Sequence, residues 1–414
     1  MSKKSYIRTV FINVTLFNSN IMVDFNYYAP TQVVFGKDSE SKTGELVKKY
    51  GGTKVLLHYG GKSAIRSGLL ESIKISLEES GIEYVLLGGV VPNPRVSLVR
   101  QGIELCRKEG IDFLLAIGGG SVIDSAKAIS SGMFYDGDVW DLFTHKAMAE
   151  KYLPVACVLT IPAAGSEMSN GCVITNEEGD LKKDYCVDEF RCKFAIMNPE
   201  RTYTLPAWQT ACGVTDMMMH TFERYFSVSD DMSITDSIAE ALLRDIMVNA
   251  HKVLANPYDY TSRAQIMWAG SLAHNDLTGC GTIGDWATHN LEHELSGMFD
   301  VSHGAGLAAL WGSWARYTCR VNITRFVQFA VNVMGVPQNF KSNEETAEAG
   351  IVAVENFFRS IGMPTNIHDL IGKEITDEEI DIMADKCCEF GARTVGSLMP
   401  LERGDMVAIY KMAR

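Results

Sequence analysis

Between Lys54 and Leu205, short apolar runs alternate with segments whose apolar residues recur at helical spacing. KVLLH (54–58), YVLL (84–87), FLLAI (113–117), CVLTI (157–161) and KFAIM (193–197) predict buried strands, because such short, almost uninterrupted apolar runs suit strands covered on both faces. LLESIKISLEES and LVRQGIELCRKEG lie between them and predict amphipathic helices. Strands alternating with helices imply a largely parallel sheet with helices on both sides. Beyond Pro206 the strand-like runs vanish and long helical patterns take over: IAEALLRDIMVNAHKVLA, FVQFAVNVMGV and EEIDIMADKCCEFGART. The pattern therefore predicts an α/β N-terminal domain over residues 22–205 and an all-α C-terminal domain over 206–414. Residues 1–21 precede them as an N-terminal extension. No repeat or low-complexity linker separates the two halves, so they are expected to pack tightly around a cleft.

Composition narrows the partners. The chain has 414 residues, enough for two substantial cores, with 46% hydrophobic and 21% charged residues. A net charge of −13 disfavours nucleic acid and anionic membranes. The ten cysteines form no C-x-x-C pair and no regular framework, which points to a reducing compartment and a cytoplasmic location. The extension begins with two lysines and a mildly apolar run, as a leader does. Arg8, Asn13 and Asn18 interrupt that run, no cleavage site follows, and Met22 is an equally good start.

Two glycine turns are candidate cofactor sites. IGGGSVIDSAKAIS (117–130) follows the strand FLLAI and opens a helix. Gly118, Gly119 and Gly120 let the backbone approach a ligand, and Ser121 is the expected N-cap. The new helix then presents free N–H groups to a phosphate. A simple strand-to-helix joint is the competing reading. The second turn, Tyr59-Gly60-Gly61-Lys62-Ser63, follows the first strand of the sheet. Dinucleotide-binding sheets often place a carboxylate there to grip the adenosine ribose. Two glycines, a lysine and a serine offer room and positive charge instead, which favours NADP(H) over NAD(H).

The histidines suggest a metal. Asp216 and His220 stand four apart in the apolar helical run CGVTDMMMHTFERYF and share one helix face. A carboxylate on so apolar a segment needs compensation. In WATHNLEHELSGMFDVSHGAG, Ala287, Leu291, Leu295 and Met298 form an apolar stripe, while Trp286, His289 and His293 share another face. His303 follows a turn marked by Gly297 and Asp300. One Asp and three His, spread over two helices and a turn, suit a borderline ion such as Fe²⁺ or Zn²⁺. Intrahelical hydrogen bonding and an ordinary polar face are the bland alternatives.

Taken in order, FGKDS (35–39), PNP (92–94), GGGSVIDSAK (118–127), PAAGSE (162–167), the D-x-x-x-H at 216–220 and HNLEHELSGMFDVSHG (289–304) resemble the iron-containing alcohol dehydrogenase family. The likeness runs from about Phe25 to the C-terminus. DWATHNLEHEL and LTIPAAGSE are most similar to its butanol dehydrogenase and aldehyde reductase branch, which generally uses NADPH. The resemblance implies a dehydroquinate synthase-like architecture, with Asp216, His220, His289 and His303 as metal ligands. His293 then lies near the metal and nicotinamide, as a proton relay or a group that orients water or ribose. Gly119, Gly120, Ser121 and Asp124 would hold the pyrophosphate, Thr160 and Lys182 other parts of the cofactor, and Gly60, Gly61 and Ser63 its adenosine end. Ala164 departs from the threonine common in the family. Plainer roles stay open for three of these. Lys182 reads equally as a solvated lysine in the polar loop EEGDLKKDY (with Lys183 able to replace it), Thr160 as a strand threonine, and Asp124 as a partner of Lys127.

The implied activity is hydride transfer between NADP(H) and a primary alcohol or short-chain aldehyde such as butanol or butyraldehyde, in a cytoplasmic homodimer. Within the same architecture, glycerol dehydrogenase-like or dehydroquinate synthase-like chemistry is the first alternative. A metal-dependent hydrolase without nucleotide is the second.

Overall fold

The computed structural model describes residues 22–229 and 232–414; the expected extension at 1–21 lies outside them. Among the described residues eight strands occur in chain order: β1 (Gln32–Phe35), β2 (Lys54–Tyr59), β3 (Glu83–Leu87), β4 (Phe113–Gly118), β5 (Val155–Leu159), β6 (Gly171–Asn176), β7 (Leu181–Cys186) and β8 (Phe194–Met197). Six of them form one parallel sheet in the order β1-β8-β5-β4-β2-β3. The five apolar runs all become strands of this sheet: four of them, in β2, β4, β5 and β8, bury nearly every side chain between covering helices such as Leu69–Glu79, Val96–Glu109 and Gly120–Gly132, while β3 at the sheet edge stays partly exposed. The run CVLTI is displaced. The strand is Val155–Leu159, and Thr160 stands just past its end, so the strand-threonine reading of Thr160 is corrected.

Two elements escape a periodicity reading. β1 is a four-residue edge strand, too short for a periodic signal. β6 and β7 form a separate antiparallel hairpin, and β7 is the polar stretch LKKDYC that reads as a loop. Neighbouring side chains of a strand point to opposite faces, so its two lysines part: Lys182 is buried, while Lys183 reaches Glu389 on the other side.

After β8 a 3₁₀ turn, Pro199–Thr202, leads into helices. The longest are Ala207–Tyr225, Ser233–Ala255, His303–Thr318 and Asn343–Ser360. They enclose an aromatic core in which Phe226 stacks on Phe326 at 4.4 Å and Phe222 lies 5.1 Å from Trp311. Each such buried ring contributes roughly 1.5–3 kcal/mol. The Ala207–Tyr225 helix runs through this core with Met217, Met218 and Met219 fully buried. Past its exposed first turn, from Thr210 onward, the helix has almost no solvent face, and its charged residues must find partners inside. No helix among the described residues is long and apolar enough to cross a membrane.

Candidate metal and cofactor site

Sheet topology brings the two glycine turns together. From β2 the chain moves outward to β3 and then returns to place β4 on the other side of β2, so the strand order reverses between β2 and β4. A crevice opens at the carboxyl ends of such a strand pair, where open α/β sheets bind ligands. Tyr59 and Ile117 are register partners there, so Gly60 and Gly61 emerge beside Gly118 and Gly119. Thr160 joins them from the next strand, its N–H donating to Gly118 O at 2.9 Å.

The helix after β4 begins at Gly120 with Gly119 as N-cap, and no side chain caps it. Ser121 thus sits inside the first turn; the expectation of an N-cap serine is corrected. The reason is the crowding around the turn. A Cβ on Gly119 would come within 2.9 Å of Ile161, and one on Gly120 within 3.1 Å of Ala164, so the PAAGSE loop presses on the turn. Asp124 does not ion-pair with Lys127. Its carboxylate accepts from Ser166 Oγ at 2.6 Å and from Val173 N at 3.0 Å. Burial pushes its pKa up against the opposing charge of Lys127. Gly61 and Ser63 are exposed, and a Cβ on Gly61 meets nothing within 4 Å. Ser63 opens a short helix, Ser63–Arg66, so the turn is not a hairpin.

The second cluster is built by three helices. Ala207–Tyr225 carries Asp216 and His220 one turn apart. Ala287–Phe299 carries His289 and His293, and its start is fixed by Trp286 in a left-handed conformation at φ 63°. Asp285 accepts from the N–H of Ala287 at 3.0 Å and from those of Ser397 and Leu398 at 2.8 Å, which anchors this helix start to the C-terminal segment. His303 is the first residue of His303–Thr318. Asn93 and Arg95, in and after the PNP turn, each donate to Asp300 Oδ1 at 3.0 Å and hold the bend before His303. Gly304 permits the close approach of its helix: a Cβ there would lie 2.1 Å from Cys212 O.

Asp216 Oδ1 is the hub of this cluster. His220 Nδ1 lies 3.5 Å from it, His303 Nε2 3.7 Å and His289 Nε2 4.0 Å. Ligand atoms of Asp216, His289 and His303 all fall within 4.8 Å of one another; His220 stands just outside this tightest group. Its ring lies 4.8 Å from that of His289. Two buried carboxylates set the tautomers. His289 Nδ1 donates to Glu223 Oε1 at 2.9 Å, and His303 Nδ1 donates to Glu292, so each ring turns its Nε2 lone pair toward Asp216. Asp216 Oδ1, His220 Nδ1 and His289 Nε2 have no hydrogen-bond partner among the described residues. Buried polar atoms without partners are costly, and several aimed at one point fit a cation.

The electrostatics agree. Burial pushes the Asp216 carboxyl up, opposed by His303 and His289, while burial, with His274, His289 and Arg224 beside it, holds His220 well below the usual imidazole range. Burial also raises Glu292, but His303 and Lys182 together carry it below the ordinary carboxylate range. Lys182 Nζ lies 3.2 Å from Glu292 Oε2, 3.1 Å from Ser296 Oγ and 3.4 Å from His303 Nδ1. Lys182 is therefore buried beside the histidine cluster, not solvated, and the solvated-loop reading is corrected. His293 is half-buried, its ring 5.9 Å from that of His303.

Some neighbours were not singled out from the sequence. Glu223 was legible: it lies seven residues after Asp216, on the same helical face. Glu292 follows His289 by three. Arg224, which stacks 4.8 Å over Trp286, stands one turn after His220 on the same helix and was legible in the same way, whereas His274, whose ring lies 3.9 Å from that of His220, carries no sequence signal, since only packing brings it there.

Comparison with known families separates the readings left open by the residues. The description "Iron-containing alcohol dehydrogenase" matches residues 30–199, and "Fe-containing alcohol dehydrogenase family, C-terminal" matches 210–414. The chain belongs to the iron-containing alcohol dehydrogenase family. Members of this family imply a nicotinamide dinucleotide and a metal, and this member is an oxidoreductase of the alcohol dehydrogenase and aldehyde reductase type. It is 41% identical over 392 residues to NADH-dependent butanol dehydrogenase A of Clostridium acetobutylicum, covering 94% of this chain and 99% of that one. It is 34% identical over 400 residues to the NADPH-dependent aldehyde reductase YqhD of Escherichia coli, covering 95% and 100%. The crystal structure of NADH-dependent butanol dehydrogenase A from Thermotoga maritima superposes with a TM-score of 0.91 at 37% identity, covering 95% of this chain and 99% of that one.

Proposed function

We propose that this family member is a metal-dependent reductase of short-chain aldehydes and dehydrogenase of primary alcohols such as butanol, working with NADP(H) as a cytoplasmic homodimer. Residues 22–205 bind the dinucleotide in this reading, and 206–414 carry the metal. The observation that supports it most is the convergence of His220, His289 and His303 on one oxygen of Asp216, with that oxygen, His220 Nδ1 and His289 Nε2 left without hydrogen-bond partners among the described residues.

Asp216, His220, His289 and His303 would hold Fe²⁺ or Zn²⁺. Glu223 and Glu292 keep His289 and His303 in the ligating tautomer, and Lys182 balances the charge of Glu292. The N–H groups opening the Gly120–Gly132 helix bind pyrophosphate, with Ser121, Asp124 and Thr160 around them, and Gly60, Gly61 and Ser63 accommodate the adenosine end. When bound, the ion polarises the carbonyl oxygen and the nicotinamide supplies or accepts hydride. His293, on the half-exposed side of the cluster, moves the proton between the alcohol oxygen and solvent.

NADP(H) is favoured because the Gly60–Ser63 turn lacks a carboxylate that would repel a 2′-phosphate. NADH is the second reading, since two relatives at about 41% identity are named NADH-dependent. Metal analysis of anaerobically purified protein, with NADPH and NADH kinetics on butyraldehyde, tests both points. One divalent ion per chain and a higher kcat/KM with NADPH are expected; a higher value with NADH overturns the cofactor preference. His289→Ala should lose metal and turnover together, and retained activity would contradict the ligand set.

A further inference from the structure

Lys127 is fully buried, and the hydrogen bonds of its ammonium go to serine and glycine oxygens, with the carboxyls of Asp124 and Glu167 close enough to feel its charge but not paired to it. Its ammonium is caged by five oxygens of one irregular loop: Ser166 O at 2.7 Å, Ser166 Oγ at 2.9 Å, Ser169 O at 3.1 Å, Ser169 Oγ at 3.4 Å and Gly171 O at 2.8 Å. Backbone carbonyls in a buried loop need donors, and no apolar side chain supplies them. Burying an ammonium in turn costs several kcal/mol of desolvation unless such oxygens replace its water. Lysine and loop each complete the other.

The loop so held touches both ends of the candidate site. Ala164 presses on Gly120 of the phosphate turn, and Ser166 Oγ donates to Asp124. At its far end, Gly171 opens β6, whose partner strand β7 carries Lys182 to Glu292 and His303. Lys127 sits on the helix that begins at the phosphate turn. One ammonium therefore joins that helix, the loop against the glycines, and the hairpin that reaches the histidines.

We infer that Lys127 is a positioning residue, whose caged ammonium sets the distance and orientation between the dinucleotide turn and the histidine cluster. The inference rests on the dinucleotide and metal reading above. Replacing Lys127 should loosen cofactor binding while leaving the ligands, which stand on other helices, able to load metal.

The test is Lys127→Ala in the full chain, with Kd for NADPH and NADH measured by fluorescence titration alongside metal content. The variant should bind the parent's preferred nucleotide about tenfold to a hundredfold more weakly, as expected when a binding group is misplaced by an ångström or so, with metal content unchanged. Excess propylammonium, which returns the deleted methylenes and ammonium to the cage, should restore much of that affinity. Tetramethylammonium, equal in charge but without N–H donors, should not. An unchanged Kd overturns the proposal, as does equal rescue by both cations or by neither. Should Lys127→Ala fail to fold, Ser166→Ala removes the hydroxyl shared by Lys127 and Asp124 while keeping the ammonium in its carbonyls. It is expected to weaken nucleotide binding at unchanged metal content, and parent-like affinity overturns the proposal. A parent protein that binds neither nucleotide removes the functional reading itself; a parent that binds, with unchanged variants, removes only the positioning role.

Discussion

Glu223→Gln probes the metal reading through a residue that holds no metal itself. Glu223 is buried on the Ala207–Tyr225 helix, and its Oε1 accepts both the backbone N–H of His289 at 3.0 Å and the ring Nδ1–H at 2.9 Å. Glutamine keeps the shape and one accepting oxygen but removes the charge. Hydrogen bonds to a charged group contribute roughly 1.5–3 kcal/mol each, and neutral ones about half of that. The exchange therefore forfeits on the order of 1.5–3 kcal/mol across the two bonds. Part of this is lost equally from the metal-free protein. The remainder appears as weaker metal binding, because a neutral amide makes the His289 Nε2 lone pair less basic. Substitutions of such outer carboxylates typically reduce metal affinity by about 10- to 100-fold. Competition of Fe²⁺ or Zn²⁺ between the protein and a chromogenic chelator reads that affinity directly, and turnover at limiting metal should fall with it. Restoring excess metal should recover much of the activity, which separates this change from His289→Ala. A Glu223→Gln protein that holds its metal within about twofold of the parent would refute the role assigned to this carboxylate.

Two further outcomes are expected. His58 is buried on β2 between Leu87 O at 2.9 Å and Ser125 Oγ at 2.8 Å, and burial pulls its imidazole down to about 4. Because the folded value is depressed, this stabilising contribution is intact above the unfolded value near 6.5 and is lost as pH falls toward 4. Between pH 7 and 5 the loss attributable to this residue is about 2 kcal/mol; urea unfolding should show that loss shrinking by this amount in His58→Gln, and an unchanged pH dependence contradicts the assignment. Gly61→Ala adds a methyl where nothing lies within 4 Å, so its Tm should match the parent's, whereas Gly119→Ala must displace Ile161 at 2.9 Å and lose about 1–3 kcal/mol. A Gly61→Ala protein of unchanged Tm but weakened nucleotide binding reports crowding by the ligand alone; unchanged binding argues against an adenosine site at that turn.

Much of this protein was legible without coordinates, and the reason is local. Five sheet strands were readable because a covered sheet draws on short, nearly continuous apolar runs, of which FLLAI is the purest and KVLLH one with polar ends. The Asp216–His220 pair and the His289–His293 spacing were readable because helical period alone puts each pair on one face. Even Glu223 was within reach of the same period. β1 and the β6–β7 hairpin were not, since a short edge strand and a half-polar hairpin obtain their order from neighbours.

Tertiary structure decided what no periodicity contains. The sequence placed two glycine turns after two strands, but only the reversal of strand order between β2 and β4 made them neighbours. Lys182 and Lys183 are chemically alike, and the pleat of β7 alone sent one toward Glu292 and the other toward Glu389. Ser121 lost the N-cap to Gly119 because the PAAGSE loop crowds that turn. Lys127, which reads as an ordinary helical lysine beside Asp124, became a caged internal cation because a loop some forty residues later folds its carbonyls around it. Contacts within about one helical turn or one strand are set by backbone geometry and so are written in the local pattern. Contacts between distant segments depend on how whole elements pack, and that information is spread over the entire core.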